Sequence, residues 1–233
     1  MALASERTFY HLFRTIARPF VQRSVQIRVT GRDYLPPAGA AILVSNHRSD
    51  TDPAILSSAI PRYIAWMAAD YMTQLPVSRL LMQLTGAVPV SVTGRVAPST
   101  LRQTQRILQG GGLLGIFPEG EQYIFENDFS APLTDFYPGF AALATRWDVP
   151  VVPCVVCPEA ERLAPLTIPA AIRADIAQMH DLDRLQQVVR YSAVSVRIGQ
   201  PIVPEAGPAN RRQRIERLIL HTRQTMLGLM DSI

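Results

Sequence analysis

One histidine and two aspartates fall within six residues of each other in Asn46-His47-Arg48-Ser49-Asp50-Thr51-Asp52, directly after the apolar run Ala40 to Val44. A carboxylate that bonds one imidazole nitrogen fixes the tautomer and stabilises the imidazolium, leaving the other nitrogen free as a base. Asp52, five residues beyond His47, is close enough across a tight turn to take that part. A His-Asp pair of this kind also fits a plain surface or capping arrangement. A second stretch supports the chemical reading: the apolar Leu113 to Ile116 runs through Phe117 into Pro118-Glu119-Gly120. There a charged residue is held between one residue that restricts the backbone and one that releases it.

Both stretches need the same support. Ala40 to Val44 is too short for a membrane span and reads as a buried strand ending at Asn46. Turn and N-cap residues follow, so a helix is expected from about Thr51-Asp52-Pro53. His47 then sits at the carboxyl end of a strand, where open α/β sheets place their reactive groups. Glu119 ends a second strand, and the two are expected to share one crevice.

These residues resemble a known family. Asn46 to Asp52 matches the NHxxxxD block, and Phe117-Pro118-Glu119-Gly120 the FPEG block, of the glycerolipid acyltransferases typified by bacterial 1-acylglycerol-3-phosphate acyltransferase. Gly86-Ala87-Val88-Pro89-Val90 and Val151-Val152-Pro153 match two lesser blocks in the same order. With flanking phrases the similarity spans roughly residues 25 to 205. The family's four-residue gap selects Asp52 over Asp50, and Asp50 reads as a solvated charge complementing a helix N-terminus. The resemblance implies direct acyl transfer from acyl-CoA or acyl-carrier protein to the hydroxyl of a lysophospholipid or other lipid alcohol. In that scheme His47 is the base and Asp52 orients it, while Pro118, Glu119 and Gly120 help to position the acceptor. No cofactor or metal is implied. Direct attack also agrees with the absence of a G-x-S-x-G nucleophile elbow.

Three departures from the family pattern concern phosphate. Val92 stands where relatives commonly carry an arginine, and the nearest is Arg95, whose planar guanidinium suits phosphate oxygens. Glu121-Gln122-Tyr123 replaces a Thr-Arg-Ser phrase, and Tyr137-Pro138-Gly139 stands where relatives place Lys-x-Gly. A lysophosphatidate acceptor is the first expectation. The alternatives are the same chemistry on a non-phosphate lipid alcohol (glycolipid, carotenoid or amino-lipid) and a non-catalytic lipid-binding module.

The expected fold is a single α/β domain over 25–233, a mixed, mostly parallel sheet flanked by helices, with an N-terminal amphipathic helix over 1–24. A chain of 233 residues buries enough for one such domain. In the N-terminal helix Phe9, Leu12, Phe13, Ile16 and Phe20 recur at helical spacing beside Arg7, Arg14, Arg18 and Arg23, the composition of a helix lying in a membrane interface. No stretch reaches the roughly 18 to 20 apolar residues of a spanning helix, and no signal peptide is evident. The expected location is therefore cytoplasmic, peripheral on the inner face of a membrane. A net charge of +4, carried by 23 arginines and no lysine, favours anionic partners such as phospholipid surfaces, coenzyme A or an acidic carrier, with no nucleic acid among them.

The remaining elements are coarser. Strands are expected at Val25 to Val29, Tyr63 to Met67, Gly86 to Val92, Pro150 to Cys157 and Val194 to Ile198. Helices are expected at Pro76 to Leu84, with Val77, Leu80, Leu81 and Leu84 on one face, and at Pro98 to Leu108, closed by Gly110-Gly111-Gly112. Further helices are expected at Gly139 to Arg146, Ile176 to Val189 and Asn210 to Met230, the last capped by Asn210 and Gln213. Proline-rich 158–172 is expected to wander over the surface. Cys154 and Cys157 read as buried thiols, because an offset of three on a strand points them to opposite faces. His180 and His221 read as solvated.

Overall fold

A computed structural model describes residues 8, 10, 12, 15, 18–74, 76–91, 96–120, 132–165, 187–207 and 210–232. Seven strands form one sheet: β1 (Gln26–Thr30), β2 (Ala41–Ser45), β3 (Ile64–Ala69), β4 (Val88–Val90), β5 (Leu113–Ile116), β6 (Val151–Pro165) and β7 (Gln187–Ile198). Their order is β1-β7-β6-β2-β5-β3-β4. All neighbours run parallel except β6 and β7, which are antiparallel. The helices are α1 (Asp52–Ala59), α2 (Pro76–Thr85), α3 (Pro98–Gln109), α4 (Gly139–Trp147) and α5 (Arg211–Asp231).

β2 lies at the centre and every one of its residues is buried. Such a strand faces apolar layers on both sides, which is why it reads as an unbroken apolar run. Ile42 and Val44 enter one cluster with Phe140, Ala144, Leu218 and Met226 from α4 and α5. Ala41 and Leu43 enter the other with Ile55, Leu56 and Ile60 at α1. The sheet is thus the middle of three layers. The strand-turn-helix unit β2-α1 places His47 and Asp52 above its central strand.

The two cysteines fall on opposite sides, Cys154 in the α1-side cluster and Cys157 against the other, and both are free thiols. Burial pushes the Cys154 thiol up to about 12, with Cys157 beside it adding to the shift. The glycine triplet closes α3 as a turn, with Gly111 at φ +68°. At α5 the Asn210 side chain accepts from Gln213 N–H at 2.9 Å, the expected cap.

Three expectations need correction. Residues 158–165 do not wander: they continue β6, paired with β7 up to Pro165↔Gln187. Val189, expected at a helix end, lies inside β7, and 176–186 fall outside the described residues, as does His180. Both follow from one cause, since proline and mixed polarity suit an edge hairpin when cross-strand pairing supplies the hydrogen bonds. On α2, Leu80 is 55% exposed, so the apolar face drawn through it is not wholly packed. The side chains of Val77 and Leu81 lie outside the described residues.

In the N-terminal segment, residues 18–24 are helical. Tyr10 is buried and meets Tyr63 edge-on at 4.8 Å, whereas Leu12 and Phe20 are exposed. No helix of the described residues is long and apolar enough to cross a membrane.

Gly115 has a steric reason. A Cβ there would lie 2.4 Å from the Trp66 ring and 2.6 Å from Ile64 Cγ2, and Trp66 is held by an indole N–H bond to Ser57 Oγ at 3.0 Å. Gly115→Ala is therefore expected to cost about 1–3 kcal/mol through overpacking. It should also change Trp66 fluorescence, both being readable in one thermal melt.

Candidate active site

The site begins where β2 stops. After Ser45 the side chain of Asn46 continues the ladder: its amide donates to the Val156 carbonyl at 3.0 Å and its oxygen accepts from Val156 N–H at 2.8 Å. The backbone is thereby released into a loop while still anchored to β6. His47 is the first residue of that loop.

The loop then folds around a carboxylate. Asp52 is fully buried, and its Oδ2 accepts the backbone N–H groups of Arg48 and Ser49, each at 2.7 Å. The same oxygen lies 3.1 Å from His47 Nδ1. A buried charge is tolerable only when paired and hydrogen-bonded, and here the intervening residues supply the donors. The four-residue gap is the length that lets residues 48 and 49 point back at residue 52. With the proton on Nδ1, His47 Nε2 carries a lone pair, and no described residue bonds it.

The imidazole is also held through its faces. Phe117, at the end of β5, stacks on it at a centroid distance of 4.0 Å and 18°, and Trp66 from β3 stacks on Phe117 at 4.8 Å and 4°. Two neighbouring strands of the sheet thus build a flat wall that prevents the ring from tilting.

Glu119 braces the loop from below. Its Oε1 accepts His47 N–H at 3.1 Å, while Oε2 accepts the N–H of Thr134 at 2.8 Å and its hydroxyl at 3.1 Å. The residue is 3% exposed. Burial raises its carboxyl above the ordinary value, and the donors from Thr134 and His47 oppose that rise. Pro118 is buried and its carbonyl accepts Tyr137 N–H at 2.8 Å; Gly120 takes φ +73° with the Tyr137 ring against it. The FPEG segment therefore meets His47 as expected, and Glu119 spends its carboxylate on the protein's own backbone N–H groups and the Thr134 hydroxyl. Arg95 lies outside the described residues.

A further set of contacts went unforeseen. The β6–β7 hairpin overhangs the 47–52 loop and grips it along its length. Glu161 takes the Arg48 guanidinium through two bonds, Nε at 2.9 Å and Nη2 at 2.5 Å. Arg190 pairs with Asp50, and the Val189 carbonyl accepts Ser49 Oγ at 2.8 Å. Asp50 is thus not a simply solvated helix-end charge. Irregularities in β6 between Pro158 and Glu161 precede the gripping carboxylate, as bulges do when they re-aim side chains. Sequence reading missed these partners because they lie more than 110 residues from the motif, Glu161 in a stretch taken for surface loop and Val189 at the end of one taken for helix.

Among the described residues no group of three or more His, Cys, Asp or Glu is placed to hold a metal. An open hollow of about 530 Å³, lined by Tyr34, Gln200 and His221 among others, lies where β2 and β6 begin, at the opposite end of the sheet from His47.

The class that fold and site define is an open, mostly parallel α/β sheet with a His-Asp pair at the carboxyl end of its central strand, where such sheets place their ligands. Comparison narrows the class: residues 26–157 match the family model described as Acyltransferase, more than half of the chain, and the chain belongs to that family. An uncharacterized protein of Mycobacterium tuberculosis is 29% identical over 160 residues, covering 62% of this chain and 41% of that one. A probable 1-acyl-sn-glycerol-3-phosphate acyltransferase of Mycoplasma pneumoniae is 24% identical over 156 residues, covering 65% and 56%. The chain thus spans about two fifths to just over half of the length of these relatives. The crystal structure of the 1-acyl-sn-glycerophosphate acyltransferase of Thermotoga maritima superposes with a TM-score of 0.57 at 18% identity, over 92% of this chain and 77% of that one, which establishes the shared fold.

The brace is testable by itself. Glu119→Ala leaves the N–H groups of His47 and Thr134 without their acceptor, and each unsatisfied buried donor costs about 1–3 kcal/mol. A fall in melting temperature of several degrees is expected, on the order of 2–4 °C per kcal/mol for a domain of this size.

Proposed function

We propose that the chain is an O-acyltransferase that moves a fatty acyl group from an acyl thioester to a lipid hydroxyl. The observation that carries this reading is the His47-Asp52 pair, with one imidazole nitrogen bonded to a buried carboxylate and the other left unbonded at the carboxyl end of β2.

In the reaction, His47 Nε2 takes the proton of the acceptor hydroxyl as its oxygen attacks the thioester carbonyl. The buried Asp52 carboxylate stabilises the imidazolium so formed. Collapse of the tetrahedral intermediate breaks the carbon-sulfur bond, and the imidazolium returns its proton to the departing thiolate. No acyl-enzyme is required, so acceptor and donor must be bound together.

We further propose 1-acylglycerol-3-phosphate as the acceptor, giving phosphatidate, with acyl-CoA or acyl-carrier protein as donor. The names of the Mycoplasma and Thermotoga proteins favour it. A non-phosphate lipid alcohol is the second reading, and a specific observation favours it. The arginines on and over the loop, Arg48 and Arg190, are both committed to carboxylates, and the family's phosphate-facing cations are absent from their usual positions in the sequence. The exposed Leu12 and Phe20, interleaved with exposed Arg18 and Arg23, support peripheral attachment of the N-terminal segment to a membrane surface, on its cytoplasmic side in this reading.

Purified protein given acyl-CoA or acyl-carrier protein and lysophosphatidate is expected to release free thiol. His47→Ala is expected to lower that rate by roughly 10²–10⁴, the usual worth of a general base, while leaving the fold intact by circular dichroism. Release only when a mixed lipid extract replaces lysophosphatidate would keep the chemistry and exclude lysophosphatidate as the acceptor. No release with either donor would overturn the enzymatic reading in favour of a lipid-binding module.

A further inference from the structure

Tyr191 lies in the part of β7 that overhangs the site, directly across from Glu161. It belongs to the apolar cluster on the α1 side of the sheet and is 6% exposed, yet its hydroxyl has no hydrogen-bond partner. A phenylalanine would fill that volume without burying an O–H, and an unmatched buried hydroxyl is costly. A second unmatched atom lies at the loop that this part of the hairpin grips. Asp52 Oδ2 takes three partners, whereas the other carboxylate oxygen, Oδ1, is buried with none.

The neighbours of Tyr191 already touch that loop: Glu161, its cross-strand partner, holds Arg48, and the Val189 carbonyl accepts Ser49 Oγ. Burial, then the Asp52 charge and the approach of its side chain to the phenol, drive ionisation of Tyr191 far up, so that it remains a donor. Arg48 from the loop opposes this, and Glu161 from β6 reinforces it. A donor with no acceptor thus lies beside an acceptor with no donor, at the residue that orients the base.

We propose that Tyr191 is a positioning residue whose hydroxyl donates to Asp52 Oδ1 in the working protein, so that the carboxylate is held at both oxygens and the tautomer of His47 is fixed through it. Oδ2 alone sits at the focus of three donors and leaves the carboxyl group free to rock about that point. A bond at Oδ1 removes the rocking. The hairpin is then part of the catalytic apparatus, although it lies largely outside the residues that match the family model.

The catalytic half of this inference rests on the acyl-transfer reading, and the orientation half does not, so both are measured. Nitrogen-15 NMR of histidine-labelled, substrate-free protein, with His47 assigned by His47→Ala, should report one tautomer with the proton on Nδ1. In Tyr191→Phe the same resonances should report a mixture of tautomers. Thiol release should fall about tenfold or more in kcat, the worth of one hydrogen bond to a charged group, with little change in KM or melting temperature. Site-specific 3-fluorotyrosine at 191, which keeps the donor, should restore both readouts. An unaltered His47 spectrum in Tyr191→Phe overturns the inference, as does a loss confined to melting temperature. If the wild type releases no thiol and the tautomer still changes, the positioning role stands and the enzymatic reading falls.

Discussion

The site depends on one requirement, that the buried carboxylate of Asp52 be satisfied. An ionised group at zero exposure is tolerated in a folded chain only if donors converge on it. At Oδ2 the chain meets this locally, by turning the N–H groups of residues 48 and 49 back onto that oxygen, and the imidazole of His47 is its third partner. The orientation of the imidazole is therefore a by-product of solving a burial problem. Both ends of the loop are fixed by regular structure: Asn46 extends the sheet's ladder at one end, and α1 starts at Asp52 at the other.

Around that loop the protein has built support from two directions. From beneath, β5 delivers Phe117 to stack on the ring and Glu119 to hold its backbone. From above, the hairpin delivers Glu161, Arg190 and the Val189 carbonyl. Pairs of this sort contribute little as isolated surface ion pairs. Their value is geometric: they tie successive residues of one loop to one rigid ribbon, which is the kind of support a preorganised site needs.

The same contacts shape the question of the acceptor. An arginine that chelates a carboxylate is a poor phosphate receptor until that bond is exchanged. Arg48 is held bidentately and Arg190 faces Asp50, so the positive charge of the loop is largely neutralised where it stands. The overall charge of +4 is spread along the chain and does not by itself point to a phosphate site.

The division between what sequence determines and what tertiary structure decides follows the range of the interactions. Ala40 to Val44 and Leu113 to Ile116 were legible as strands because a fully buried strand is apolar throughout. His47 and Asp52 were legible because their bond closes within six residues, so spacing encodes geometry. The caps at Gly110-Gly111 and Asn210 were legible for the same reason, their hydrogen bonds closing within one turn. Pairing across the sheet carries no such signature. Residues 158–165 and Val189 looked like loop and helix because nothing local reveals that each is the other's partner. For that reason the sequence named the histidine and its carboxylate. Only the folded hairpin, closing contacts over more than 110 residues, could bring Glu161, Arg190 and Tyr191 to them.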